Sequence, residues 1–370
     1  MTERSIHRLK PGQQLSEDVL TGMGHVLFKK ERVLIEQDLE ILHAFLIKSV
    51  SVKTEEPDEK AEQGDPVQKE SKENEKAADE KKTENKQKPL SPFEEEYQKM
   101  VVLLQKTLKQ IIAGEINLLD IRQQLSALIQ HIHEYNVLTY SPQKAKVEDY
   151  LIHNSIVVSL TSYQLAKWMN YDQKDLLPIA LGGLLHDIGN VKVDLDILTK
   201  PGKLTSSELE EVRKHTVIGY NMLKPVPGLN EGVKLTALQH HEREDGSGYP
   251  LGLKSDRIHP YSKIVAVADI FHAMSSNRHY KKAASPYRVL EQIFNDSFGK
   301  LDPTIVQTFI HKVTQFHNGT LVKLNNGLIG EIVFSDRSHP TRPWVKADGK
   351  VINLVQETHL FIDEVMKMQD

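Results

Sequence analysis

The chain of 370 residues contains no cysteine. That excludes disulfides and thiolate zinc sites, and a reducing cytosol is its natural setting. Any metal would be held by histidine and carboxylate groups, a donor set that suits iron, manganese or zinc. An excess of one charge is also missing. Against 47 Lys and Arg stand 51 Asp and Glu, a net charge of −4, so no basic field favours duplex nucleic acid. No apolar run approaches the length of a bilayer, and the longest, Leu176 to Leu185, leads straight into His186-Asp187. The start, Met1-Thr2-Glu3-Arg4-Ser5, lacks the apolar core of a signal peptide. These absences predict a cytoplasmic chain without a membrane span. Hydrophobic residues make up only 39%, which points to a solvated segment.

Residues 54–92 are that segment. They hold twelve Asp or Glu and eight Lys, with Ala61, Val67, Ala77, Ala78 and Leu90 as their only apolar residues. Such a stretch buries too little surface to offset chain entropy and reads as a disordered, charged linker. Residues 1–53 before it read as a small α+β module. Its expected strands are Val26–Phe28, Arg32–Leu34 and Lys48–Lys53, with a helix over Gln37–Leu46. Residues 93–135 carry helical spacing at Tyr97, Val101, Leu104, Leu108 and Ile111, then at Leu118, Ile121, Leu125 and Ile129. This predicts a hairpin for packing or homodimer formation, broken near Gly114.

Residues 136–317 read as nearly continuous helix: Ala145–Met169, Asp175–His186, Ser206–Leu223, Glu231–His240, Tyr261–Ser275, Pro286–Asn295 and Pro303–Phe316. Ser206-Ser207-Glu208 has a capping signature, and Asp302-Pro303 marks another helix start. After Phe316 the period changes to two. Thr320–Leu324 and Leu328–Phe334 flank the turn signal Asn325-Asn326-Gly327, and Trp344–Lys346 and Val351–Leu354 flank Asp348-Gly349. Residues 318–370 therefore predict a β-rich appendage on a mainly α protein.

Chemistry concentrates in the helical part. His186-Asp187 ends an apolar helix, where the carboxylate could bridge two cations and the imidazole bind one. His215 lies on the next helix. Adjacent His240-His241 can reach one metal centre, and they open the segment His240-His241-Glu242-Arg243-Glu244-Asp245-Gly246-Ser247-Gly248-Tyr249-Pro250. Its glycines allow backbone to approach a ligand. Asp269 sits in the apolar run Val265–Phe271, and a buried Asp needs a partner or a metal.

In this order His153, His186-Asp187, His215, His240-His241 and Asp269 resemble the metal-dependent HD phosphohydrolase superfamily. The segment from His240 to Pro250 resembles its HD-GYP branch, with support from Lys200–Thr205 and Asn277-Arg278-His279-Tyr280. The resemblance covers residues 136–317. It implies an HD-type helical bundle with two or three divalent metal ions, iron or manganese, that hydrolyses cyclic di-GMP to linear pGpG and on to GMP. By motif, His186, Asp187, His215, His240, His241 and Asp269 would be ligands. His153 with Asp149, one turn apart on a helix face, would hold a third cation. Water activated between cations would attack phosphorus. Arg278 and Lys281 would contact phosphate, and Tyr249 with Gly248 would form the loop over the nucleotide.

Three positions depart from the family pattern. Asn190 stands where a lysine is usual, His272 stands where an aspartate is usual, and Asn277 replaces the Asp before the arginine. Lys192 is the residue placed to compensate for the first. The leading expectation is a cyclic di-GMP phosphodiesterase. The alternatives are a cyclic di-GMP receptor or module for a protein signalling partner with little catalysis, and a phosphohydrolase for another nucleotide.

Overall fold

The computed structural model describes residues 2–20, 26–35, 38–39, 41–42, 47, 49–53, 90–140, 150–200, 202–275, 285–296, 298–315 and 319–366. The expected linker up to residue 89 lies outside them, as do Asp149, Arg278 and Lys281. The chain divides into two compact units, Met1–His43 with Ile47–Ser91, and Pro92–Asp370 with Ala44–Leu46.

The first unit holds two antiparallel pairs. β1 (Thr2–Ser5) runs against β4 (Ser49–Val52), and β2 (Val19–Leu20) against β3 (Val26–Phe28). Alternation in β4 buries Val50 and Val52, as its pattern requires. The strand expected at Arg32–Leu34 is instead one isolated bridge, Val33 to Gln14. Arg32 is drawn away to the buried Asp38 carboxylate at 2.9 Å.

The second unit is mainly helical. The hairpin is α1 (Pro92–Ile111) and α2 (Leu118–Gln130), joined through Gly114 at φ 86°. Behind it come α3 (Tyr150–Trp168), α4 (Gln173–Leu185), the short α5 (Leu195–Leu198), α6 (Ser206–Arg213), α7 (His215–Leu223), α8 (Glu231–Gln239), α9 (Pro260–Ser275), α10 (Pro286–Asp296) and α11 (Pro303–Val313). Apolar residues surround α3, α4 and α9 on nearly every side, so these three are core helices rather than surface ones. They carry the expected site residues into the interior.

Two expectations change here. The single helix over Ser206–Leu223 is two helices that meet at Lys214. Side chains compete for the backbone at the joint, where His215 Nδ1 meets the Val212 carbonyl at 2.6 Å and the Thr216 hydroxyl donates to Arg213. The cap of α6 is Thr205, one residue earlier than expected. Its hydroxyl accepts from the Glu208 N–H, while the Glu208 carboxylate accepts from the Thr205 N–H at 2.7 Å, a box worth about 1 kcal/mol.

The C-terminal sheet has five antiparallel strands in the order β8-β7-β6-β5-β9. They are β5 (Leu321–Leu324), β6 (Ile329–Phe334), β7 (Trp344–Ala347), β8 (Lys350–Asn353) and β9 (Ile362–Val365). β9 was not expected from the sequence. Val322, Ile332, Val345 and Ile362 share one apolar core with the helices, so the sheet is not a separate body. Arg342 clasps Glu291 of α10 with the Nε–Nη2 edge of its guanidinium, at 2.5 and 3.1 Å, while its Nη1 donates to the carbonyls of Leu354, Thr358 and Leu360.

Candidate metal centre

Three histidines are aimed by one device. His186 caps α4 and sets its Nδ1 2.7 Å from the Gly183 carbonyl. His215 opens α7 with Nδ1 2.6 Å from Val212 O, and His240 ends α8 with Nδ1 3.0 Å from Thr236 O. In each, Nδ1–H donates to a carbonyl three or four residues back. That leaves Nε2 facing inward as the atom that would meet a metal, the arrangement that fixes the tautomer of a ligating imidazole.

The three Nε2 atoms converge on Asp187. Its Oδ1 lies 3.2 Å from His215 and 3.6 Å from His240, and its Oδ2 lies 3.5 Å from His186. His186 Nε2 also lies 3.5 Å from Asp269 Oδ1, and the His215 and His240 Nε2 atoms are 3.3 Å apart. His241 completes the group, with donor atoms of Asp187, His215, His240 and His241 all within 4.8 Å of one another. Metal–ligand bonds of about 2.0–2.2 Å set neighbouring donors roughly 3–3.5 Å apart, and the closest pairs of the cluster have that spacing. The buried His186 Nε2 makes no hydrogen bond of its own. The donors thus fit divalent cations, with one carboxylate joining His215 and His240 on one side to His186 and Asp269 on the other.

Electrostatics agree with that reading. Burial would lower the His186 pKa, but the Asp187 and Asp269 carboxylates raise it to about 9. His215 is likewise raised against its burial by Asp187. Burial depresses both His240 and, more strongly, His241, so these two are neutral near pH 7. Asp187 and Asp269 stay ionised despite burial, because His186 and its neighbours hold their pKa values down. Incoming cations would displace the extra proton of His186 and find two carboxylates already charged.

The segment after His241 is built around Glu242, a residue the sequence reading passed over. Its buried carboxylate accepts from the N–H groups of Leu251 at 2.7 Å and Leu253 at 2.8 Å, which folds the chain back on itself. Gly248 lies against the ligand-bearing backbone. A Cβ there would stand 2.4 Å from Arg243 N and 2.5 Å from His241 O. Its close approach is therefore to the chain itself, where the sequence reading had expected a ligand. Tyr249 is laid over His241, with ring centroids 4.6 Å apart and planes 28° apart. Burial and the nearby carboxylates raise its pKa, so the phenol keeps its proton as a hydrogen-bond donor.

The other expected residues sit as follows. His153 is on α3, stacked on Tyr97 of the hairpin, with Nδ1 3.0 Å from the Tyr97 hydroxyl. Its neighbour Asn154, also passed over, lies 3.5 Å from Asp269 Oδ1. Lys192 is exposed at the end of the 3₁₀ turn Ile188–Lys192. Asn190 in that turn is buried, its Oδ1 without a partner. With Asp187 it lines a cavity of about 280 Å³ walled by Leu104, Leu108, Ile152 and Leu184. His272 is buried in a hydroxyl network, 2.7 Å from Thr161 Oγ1 and 3.4 Å from the Tyr135 hydroxyl.

The profile of the HD domain matches residues 107–305, more than half the chain. The chain belongs to the HD domain family. It is 32% identical over 214 residues to a cyclic di-GMP phosphodiesterase of Pseudomonas aeruginosa, covering 58% of this chain and 51% of that protein. It is 39% identical over 155 residues to a cyclic di-GMP phosphodiesterase of Thermotoga maritima, covering 41% of this chain and 42% of that one. A 3′3′-cGAMP-specific phosphodiesterase of Vibrio cholerae is 32% identical over 190 residues, covering 51% and 44%. The chain spans about half the length of the curated relatives it matches. The HD match begins inside α1, so this family's profile includes part of the hairpin as well as the ligand-bearing helices. Among the described residues, no helix is long and apolar enough to cross a membrane.

Proposed function

We propose that this chain is a divalent-metal phosphodiesterase that opens cyclic di-GMP to linear pGpG and cleaves that further to GMP in the cytosol, using iron or manganese. The observation that carries the reading is Asp187 flanked by two donor sets, with Tyr249 of the Gly-Ser-Gly-Tyr-Pro segment stacked on His241. The names of the relatives support the substrate class.

Bound cations supply the Lewis acidity that makes water nucleophilic and draws charge from phosphoryl oxygens near neutral pH. The residues of the chain do the rest. Asp187 joins the two donor sets, and Asp269 adds a second negative charge beside His186. The carbonyls of Gly183, Val212 and Thr236 hold three imidazoles in the required tautomer. Tyr249 offers its hydroxyl proton to a phosphate oxygen, and Glu242 keeps the loop that carries Tyr249 folded against the site. Arg278 and Lys281 are proposed as phosphate contacts, and His153 with Asp149 as the pair for a third cation.

One observation favours a second reading. Asn190 puts a neutral buried amide where this branch usually carries a lysine, and the nearby Lys192 is exposed. A site lacking that cation could bind the dinucleotide and turn it over slowly, as a receptor does. The test is to purify the full chain without oxygen, measure iron and manganese, and follow cyclic di-GMP by chromatography beside 3′3′-cGAMP. Metal-dependent loss of cyclic di-GMP supports the proposal. Binding without cleavage makes the chain a receptor, and preferential loss of 3′3′-cGAMP moves the substrate class.

A further inference from the structure

We propose that Arg213 contacts substrate, taking the phosphate of the cyclic dinucleotide that is not under attack. The proposal rests on the functional reading above. It begins from a stack of three groups. The Arg213 guanidinium lies 5.1 Å from the centroid of the Tyr249 ring, and that ring lies 4.6 Å from the imidazole of His241. Arg213 is the last residue of α6, two places before His215. The end of one helix thus sets a fixed positive charge beside the metal centre, with an aromatic ring between.

A cyclic dinucleotide brings two phosphates. Cations held at Asp187 can serve the one being cleaved. Arg278 and Lys281, proposed above as phosphate contacts, are assigned to that same one. The other is also negative and needs a donor of its own. Asn190 cannot supply a charge there. Arg243, a second guanidinium near the site, is occupied with the backbone, its Nη1 donating to the carbonyls of His240 at 3.3 Å and Glu242 at 2.8 Å. Arg213 has capacity to spare. Its Nε–H is buried with no acceptor, and its Nη1 donates at 2.7 Å to Glu210, a carboxylate whose side chain is 66% exposed.

An exposed pair of that kind is weak, because water screens both charges. A phosphate can displace Glu210 and accept two parallel N–H bonds from the planar fork, which a carboxylate held at one nitrogen does not. Glu210 is then a placeholder that releases the guanidinium when substrate arrives. Stacking on Tyr249 keeps the fork in one plane, so little rotational freedom is lost on binding.

The test uses the full metal-loaded chain with cyclic di-GMP. Arg213→Ala is expected to raise KM about tenfold to a hundredfold, the loss of a charge-assisted hydrogen bond, with kcat and metal content changed far less. Arg213→Lys restores part of the loss. Glu210→Gln, which frees the guanidinium, lowers KM, an effect that a merely structural ion pair would not produce. In a Tyr249→Ala background, Arg213→Ala still raises KM by about tenfold or more, since its phosphate contact does not pass through the ring. An unchanged KM for Arg213→Ala, or no further loss in the Tyr249→Ala background, overturns the proposal while leaving the phosphodiesterase reading intact. A wild-type chain that neither binds nor cleaves cyclic di-GMP removes that reading and this one with it.

Discussion

Gly189→Ala should empty the metal centre without touching a ligand. Gly189 lies in the turn that follows Asp187, packed against the start of α7. An added Cβ would stand 2.0 Å from the His215 carbonyl oxygen and 2.6 Å from the Gly219 nitrogen. Both are backbone atoms and neither can rotate away. Ordinary contact begins near 3.4 Å, so the turn and the helix must part by about 1.4 Å, the difference of 3.4 and 2.0. Asp187 and His215 ride on those two elements with their donor atoms 3.2 Å apart. Metal sites tolerate errors of only about 0.2 Å in ligand distance, so the required shift is several times what the pair can absorb. Overpacking of this sort costs about 1–3 kcal/mol, equivalent to a melting temperature roughly 2–12 °C lower. Elemental analysis after dialysis and a thermal melt measure both effects. Gly219→Ala is the control. Its Cβ would meet nothing closer than 3.3 Å, and it should retain most of its metal. Wild-type metal content and wild-type melting in Gly189→Ala would refute the account.

Glu242→Ala leaves the buried Leu253 N–H and the part-buried Leu251 N–H without their charged acceptor. A stability loss of roughly 3–6 kcal/mol is expected, with amide-exchange protection lost first at Leu251 and Leu253. Protection that survives there would show that the loop holds itself. Asn190→Lys should raise turnover, by up to a factor of about 10²–10³ if its ammonium reaches a phosphate, at unchanged metal stoichiometry. Its melting temperature should fall, because a charge enters a mostly apolar cavity. Kinetics and metal analysis on the pair decide the matter, and equal turnover would mean that Lys192 or Lys281 already compensates. Burial lowers the pKa of His272 from 6.5 to about 3. The unfolded imidazole therefore takes a proton that the folded one refuses, so stability is whole above pH 6.5 and declines as pH falls toward 3. The loss is at most about 5 kcal/mol. Chemical denaturation across that range should be flatter in His272→Gln, and an unchanged slope would assign the decline to other groups.

Part of the candidate site was legible because His186, His240 and Asp269 end or interrupt helices with buried apolar faces, and helical spacing is a local property. Glu231–His240 and Asp175–His186 were expected within two residues of α8 and α4. What stayed hidden depends on partners distant in the chain. β9 has a weak pattern of its own and forms because β5, about forty residues earlier, offers it an edge. Glu242 reads as one more charge in an acidic stretch until Leu251 and Leu253 fold back onto it. Gly189 carries no signal at all, since its reason is the carbonyl of His215. The division of Ser206–Leu223 was equally unreadable, because the bond between His215 Nδ1 and the Val212 carbonyl is a side-chain contact that helical periodicity does not encode.

The Arg342–Glu291 clasp bears on how such chains can be taken apart and recombined. Shared apolar packing and one arginine bind residues 321–366 to α10, the helix that follows positions 278 and 281 in the chain. A chimera that exchanged this sheet for another module would strand Glu291 without its partner and bare the apolar surface beneath. The unit for engineering is therefore longer than the helices that carry the candidate site. Cut points that respect it fall before Pro92 or after Met366, and not at the change from helix to strand near residue 317.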